Sequence, residues 1–143
     1  MKRTELNKLI IMIILDTSVW IEHLKNNQVY FPEISKLLES GEILAVECVF
    51  GELLQGVKNK NEKETILKFW THLPKIYYEN IIIEAGLYSA ENNLLDYGVG
   101  LIDAIILMHG IKSNSRIWTL DGKFLRVIPE ELRYGFKFLQ TSN

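Results

Sequence analysis

The chain has 143 residues, the size of one ordinary domain, so a single core and a single site are expected, not a division of labour between two domains. Apolar residues make up 48% of it and charged residues 24%, a globular balance that excludes a disordered chain. With 16 Lys and Arg against 18 Asp and Glu the formal net charge is −2, so any contact with a polyanion has to come from a local basic patch.

Met1-Lys2-Arg3 followed by the apolar run Leu9 to Leu15 has the outline of a secretory signal. The run lacks a small-residue cleavage site, falls short of the roughly 20 residues a membrane helix needs and leads directly into Asp16, so no membrane association is expected. Residues 10–15, apolar throughout and rich in Ile, instead read as a central parallel strand covered on both faces. Residues 1–11 read as a possible N-terminal extension leading into that strand, with Met12 an alternative start, and residues 12–143 as the folded domain.

A first helix is expected over residues 18–25, capped by Asp16 or Thr17, with Val19, Ile21 and Leu24 towards the core. A second fits residues 32–40, with Pro32 near its start and Gly41 as its stop. Residues 43–46 read as the next strand. Val49, Phe50, Leu53, Leu54 and Val57 then trace a helical stripe over 47–57, which Asn59-Lys60-Asn61 closes and at whose edge Glu52 lies.

Residues 62–72 form another helix, ended by Pro74. Residues 78–83 are either a short strand or the start of a helix that runs on to Leu95. Gly98 and Gly100 mark a loop before the apolar helix 102–111, whose first turn holds Asp103. A strand over 116–119 leads to Asp121, a last short helix begins near Pro129, and residues 136–139 suggest an edge strand. The alternation gives an α/β domain with a central parallel sheet and helices on both faces, where ligands sit beyond the carboxyl ends of the strands. Asp16 and Asp121 both fall there.

Four acids adjoin or interrupt apolar segments: Asp16, Glu52, Asp103 and Asp121. Each has an ordinary reading of its own, as a helix cap, a solvent-facing helix residue, a partner of a helix dipole and a turn residue. Taken together they require something positive, because a buried carboxylate needs a partner. No interior Lys or Arg is an obvious candidate, whereas carboxylate oxygens suit a hard divalent cation.

At this set the chain resembles the PIN-domain ribonucleases of the VapC toxin type. Asp16-Thr17-Ser18-Val19-Trp20-Ile21 is similar to the opening motif of that family, Glu52-Leu53-Leu54-Gln55-Gly56 to the second, Leu101-Ile102-Asp103-Ala104-Ile105-Ile106 to the third, and Trp118-Thr119-Leu120-Asp121-Gly122-Lys123-Phe124 to the fourth. The order and spacing match from Met12 to the C-terminus. Lys123 departs from the pattern, since many toxin-type members carry an Asp there, so a fifth acidic ligand is in doubt.

The resemblance implies a PIN-like fold and an endoribonuclease that uses Mg²⁺ or Mn²⁺ to hydrolyse RNA phosphodiester bonds. It further implies Asp16, Asp103 and Asp121 as ligands, Glu52 on the attacking water, and Thr17, Ser18 and Thr119 as hydrogen-bonding supports of those carboxylates. For these three hydroxyls the cap and strand-end roles are the simpler reading. The toxin reading adds an RNA substrate, a small antitoxin and a homodimer. The alternatives are a housekeeping RNA-processing PIN nuclease and a binding-only PIN-like protein. A haloacid-type phosphatase is disfavoured, because its second Asp would stand where Ser18 is.

His23, His72 and His109 show no metal-ligand spacing and read as surface or partly packed residues. Cys48, the single cysteine, excludes an internal disulfide, reads as a buried helical residue and fits a reducing, cytoplasmic setting. Trp20, Trp70 and Trp118 fall on core positions. Lys58, Lys60 and Lys63 form the compact basic cluster, with a looser one at Arg116, Lys123 and Arg126; each is either an RNA track or a solvated surface.

Overall fold

The computed structural model describes residues 10–136. Residues 1–9, and residues 137–139 of the expected edge strand, lie outside them. Strand β1, Ile13–Leu15, pairs in parallel with β2, Arg116–Trp118, in a register that sets Ile13 opposite Arg116 and Leu15 opposite Trp118. Single parallel bridges widen this sheet on both sides, from Ile13 to Ile43, from Ala45 to Lys75 and from Ile117 to Arg133. The strand expected over 43–46 is therefore two separate bridges, held by Leu44 N–H on Ile13 O at 2.9 Å and Ala45 N–H on Pro74 O at 2.9 Å. All three residues of β1 are buried, and since neighbouring side chains point to opposite faces, both faces are covered. Ile10 and Ile11 were expected within the strand but are exposed, because the paired register begins only at Ile13.

Seven α-helices are present among the described residues: α1 (Thr17–Leu24), α2 (Phe31–Glu39), α3 (Glu47–Gln55), α4 (Lys60–His72), α5 (Ile81–Glu91), α6 (Leu101–Ser113) and α7 (Gly122–Val127). Short 3₁₀ turns follow at Leu94–Tyr97 and Glu130–Leu132. The second is what stands where a last helix near Pro129 was expected. Asn59 closes no helix; its side chain accepts from Glu62 N–H and so caps α4, which begins before residue 62. Of the ambiguous stretch 78–83, residues 81–83 open α5, with Asn80 as its cap at φ of 62°; the helix ends at Glu91 and does not run on to Leu95, which lies in a separate 3₁₀ turn. None of the helices among the described residues is long and apolar enough to cross a membrane.

Capping of α1 by Asp16 sets the phase of that helix, and the phase decides which side chains enter the core. Val19, Trp20 and His23 point inward, at the i, i+1, i+4 spacing of one helical face. Ile21, expected in the core, lies off that face and is 39% exposed. His23 is likewise no surface residue: its ring stacks on Phe31 at 4.6 Å and meets Trp20 and Phe69 edge-on. Burial pushes its imidazole pKa down, so His23 is neutral in the core. His109 is also buried, while His72 is exposed. Helix α6 runs close against β2, because Gly110 lets Ile117 approach to where a Cβ would stand only 2.6 Å from its Cδ1.

Candidate active site

Parallel pairing brings the ends of β1 and β2 to the same edge of the sheet, and the chain turns there into α1 and towards α7. Asp16 follows β1 directly, and its N–H continues the ladder by donating to Trp118 O at 3.1 Å. The residue is only 4% exposed. Oδ1 accepts from the Ser18 hydroxyl and from Val19 N–H at 3.2 Å, and Oδ2 accepts from the Thr119 hydroxyl. Both hydroxyls are also acceptors: Ser18 Oγ takes Leu120 N–H at 3.0 Å and Thr119 Oγ1 takes Asp121 N–H at 3.0 Å. One buried carboxylate thus ties the β1–α1 junction to the loop after β2.

Asp121, at the end of that loop, caps α7 through Oδ1, which accepts Lys123 N–H at 2.9 Å. This six-residue helix was read in the sequence as a turn at Asp121-Gly122. Glu52 comes from the edge of α3, and its Oε1 accepts the Thr17 hydroxyl at 2.6 Å. Asp103 stands in the first turn of α6, half-buried, behind the Gly98 to Gly100 loop.

The four acids share one electrostatic field. Burial pushes Asp103 up to about 6, and the charges of Asp16, Asp121 and Glu52 push in the same direction. Asp16 is also raised by burial, against the opposing hydrogen bonds from Ser18, Thr119 and the backbone N–H groups of Val19 and Ser18. The ion pairs among the described residues, Lys60 with Glu64 and Lys112 with Glu84, involve none of the four. Among the described residues, no ion pair balances the negative charge concentrated at this edge.

The donor set suits a hard divalent cation. Of the four lone-pair directions on Asp16, three are used, which leaves one on Oδ2. Among the described residues no three Asp, Glu, His or Cys side chains converge tightly enough to form a ready-made cage. The acids share a field rather than a finished coordination sphere.

Cys48 also faces this field. Burial pushes its thiol up to about 12, helped first by Glu52 and then by Asp103, so it stays protonated and is no nucleophile. Sequence reasoning did not connect Cys48 with the acids, although its i, i+4 spacing to Glu52 on α3 carried the signal. Lys123 lays its side chain over the loop before α6, its Cδ 3.2 Å from where a Cβ on Gly98 would stand.

Residues 13–128 match the PIN domain. The chain belongs to the PIN-domain family. Similar relatives are VapC ribonuclease Mb1587 of Mycobacterium bovis and Ribonuclease VapC11 of Mycobacterium tuberculosis, each 27% identical over 119 residues that span 79% of this chain and 89% of the relative. Among solved structures, VapBC2 from Rickettsia felis, bound to a DNA fragment from its promoter, superposes with a TM-score of 0.65 at 24% identity, covering 86% of this chain and 96% of that one. VapBC-1 from nontypeable Haemophilus influenzae gives 0.59 at 23%, covering 81% and 91%. At these identities the two structures establish the fold. In this PIN domain the acidic edge lies inside the matched region, at the carboxyl ends of the parallel strands.

The field on Asp103 makes a prediction about stability. Its folded pKa is raised, so at pH 7.5 the folded state holds an ionised carboxylate it disfavours, and that penalty is relieved as pH falls through about 6. In EDTA at pH 7.5, Asp103→Asn should raise the melting temperature by roughly 2–5 °C after solvent screening is allowed for. The gain should shrink by pH 5. Calorimetric melts at both pH values check this, and a variant no more stable than wild type at pH 7.5 contradicts it.

Proposed function

We propose that this PIN domain is a metal-dependent endoribonuclease, the toxin of a toxin–antitoxin pair. The observation that carries the reading is the field around Asp103, where three other carboxylates act on one half-buried acid at the strand ends. The ribonuclease names of its mycobacterial relatives and its likeness to the VapBC structures support it.

In this reading Asp16, Asp103 and Asp121 hold Mg²⁺ or Mn²⁺. The bound ion supplies Lewis-acid stabilisation of charge on the phosphate and makes an acidic pocket compatible with RNA. Asp16, fixed by Ser18, Val19 and Thr119, offers its remaining Oδ2 lone pair in one orientation. Glu52 is oriented by Thr17 through Oε1, which leaves Oε2 to take a proton from the attacking water. The water oxygen bonds to phosphorus, the bond to the leaving oxygen breaks, and no covalent enzyme intermediate forms.

Cleavage of a structured-RNA panel tests this directly. Wild type with Mg²⁺ or Mn²⁺ should cut; EDTA should abolish cutting; Asp103→Asn should slow it by about 100-fold or more, the scale of losing a key electrostatic group. Equal cutting by the variant would reject the site.

The toxin reading includes a homodimer and an antitoxin. The face of α5 supports self-association: Ile82, Ile83 and Leu87 are 56%, 64% and 59% exposed, and Tyr77, at 86%, lines one hollow with Ile82 and Ile83. Ile83→Glu should convert a dimer into a monomer by sedimentation velocity, and an unchanged dimer would place the interface elsewhere. The antitoxin is checked by co-purification with the product of a small neighbouring reading frame.

A further inference from the structure

A groove of about 510 Å³ lies between α1, α3 and the start of α4, and Thr17 and Glu52 form part of its wall. Its floor is apolar, made by Ile21, Leu53, Val57 and Ile66. Its polar lining holds Lys25 and Lys58, the carboxylates of Glu52 and Glu62, and the amides of Asn59 and Asn61. We propose that this groove is a subsite for the ribonucleotide next to the scissile phosphate; the assignment rests on the nuclease reading for where that phosphate lies.

Position is the first argument. The hydrogen-bonded pair Thr17–Glu52 belongs both to the acidic edge and to the groove, so an RNA strand with a phosphate at the acids has this groove as an immediate neighbour. Size is the second, since 510 Å³ falls within the about 300–1,000 Å³ of small-ligand clefts and admits one nucleotide. Ile21 is the third. It is an apolar residue left exposed on a helix that buries its neighbours Val19 and Trp20, and it offers the face of a base a water-excluding surface.

The rim offers charge partners to a strand of phosphates, alongside the carboxylates of Glu52 and Glu62. Lys25 and Lys58 are not among the ion pairs of the described residues, so both ammonium groups are available to phosphates. Lys58 stands on a fixed turn: its N–H donates to Glu62 Oε2 at 2.8 Å while Asn59 Oδ1 accepts Glu62 N–H at 2.9 Å, a reciprocal capping arrangement. The Asn59 amide nitrogen is left as a donor towards a base edge.

Binding of a fluorescein-labelled, mixed-sequence pentaribonucleotide tests the proposal in the full-length Asp103→Asn background, which blocks turnover and removes one repelling charge. Ile21→Trp fills the groove from an exposed position and should weaken binding about 10-fold. Lys25→Ala/Lys58→Ala should lower the slope of log Kd against log salt by about 1.4, from about 0.7 per phosphate contact on a single strand. Melting curves verify that each variant is folded. Unchanged affinity and slope in both variants overturn the subsite, as does absence of binding by the parent, which would leave the groove to a protein segment. If wild type cuts RNA while the groove variants bind as the parent does, the subsite fails and the nuclease reading stands. If RNA binds in the groove and wild type cuts nothing with Mg²⁺ or Mn²⁺, the nuclease reading fails and the binding site stands.

Discussion

The structure around this site depends on one constraint: a carboxylate buried at the end of a parallel strand has to be satisfied by neighbours far away in the sequence. Asp16 meets that requirement with two hydroxyls and a backbone N–H. Because each hydroxyl also accepts from the loop after β2, satisfying Asp16 fixes where Leu120 and Asp121 lie. The same carboxylate caps α1 and thereby sets the helical phase that buries Trp20 and turns Ile21 outward. Core packing, the position of a second acid and the surface of the adjoining groove all follow from how one side chain is solvated.

Electrostatics at the strand ends runs against stability. Asp103 sits half-buried in the field of three other acids, an arrangement that raises its pKa and that a protein under no other demand would relieve with a lysine or an amide. Perturbed groups gathered at one edge of a fold mark functional sites more often than structural ones. The groove on the other side of Glu52 has a mixed character, an apolar floor with Lys25, Lys58 and Glu62 in its polar lining. The Thr17–Glu52 pair is common to the acidic edge and to that groove.

Much of this was legible in the sequence because the four acids flank or interrupt apolar runs, and the β–α alternation places two of them beyond strand ends. What was hidden depended on tertiary contacts. The helix after Asp121 is short and follows Gly122, so the residue that caps it looks like a turn until Thr119 is seen to hold the Asp121 N–H. Ile21 was misplaced because the helical phase depends on the Asp16 cap. His23 could not be read as buried, because the rings around it come from three separate helices. Thr17, Ser18 and Thr119 had the cap role as their simpler reading; that their hydroxyls reach Glu52 and Asp16 required the strand register to be known.

The central claim is that the acids act as one cation site. Isothermal titration of Mn²⁺ into the full-length protein at pH 7.5, compared with Asp16→Asn and with Glu52→Gln, tests it without relying on a chosen RNA. The account predicts saturable binding by wild type, loss of at least 10-fold in affinity in Asp16→Asn, and a much smaller loss in Glu52→Gln. Equal Mn²⁺ affinity in wild type and Asp16→Asn would contradict it.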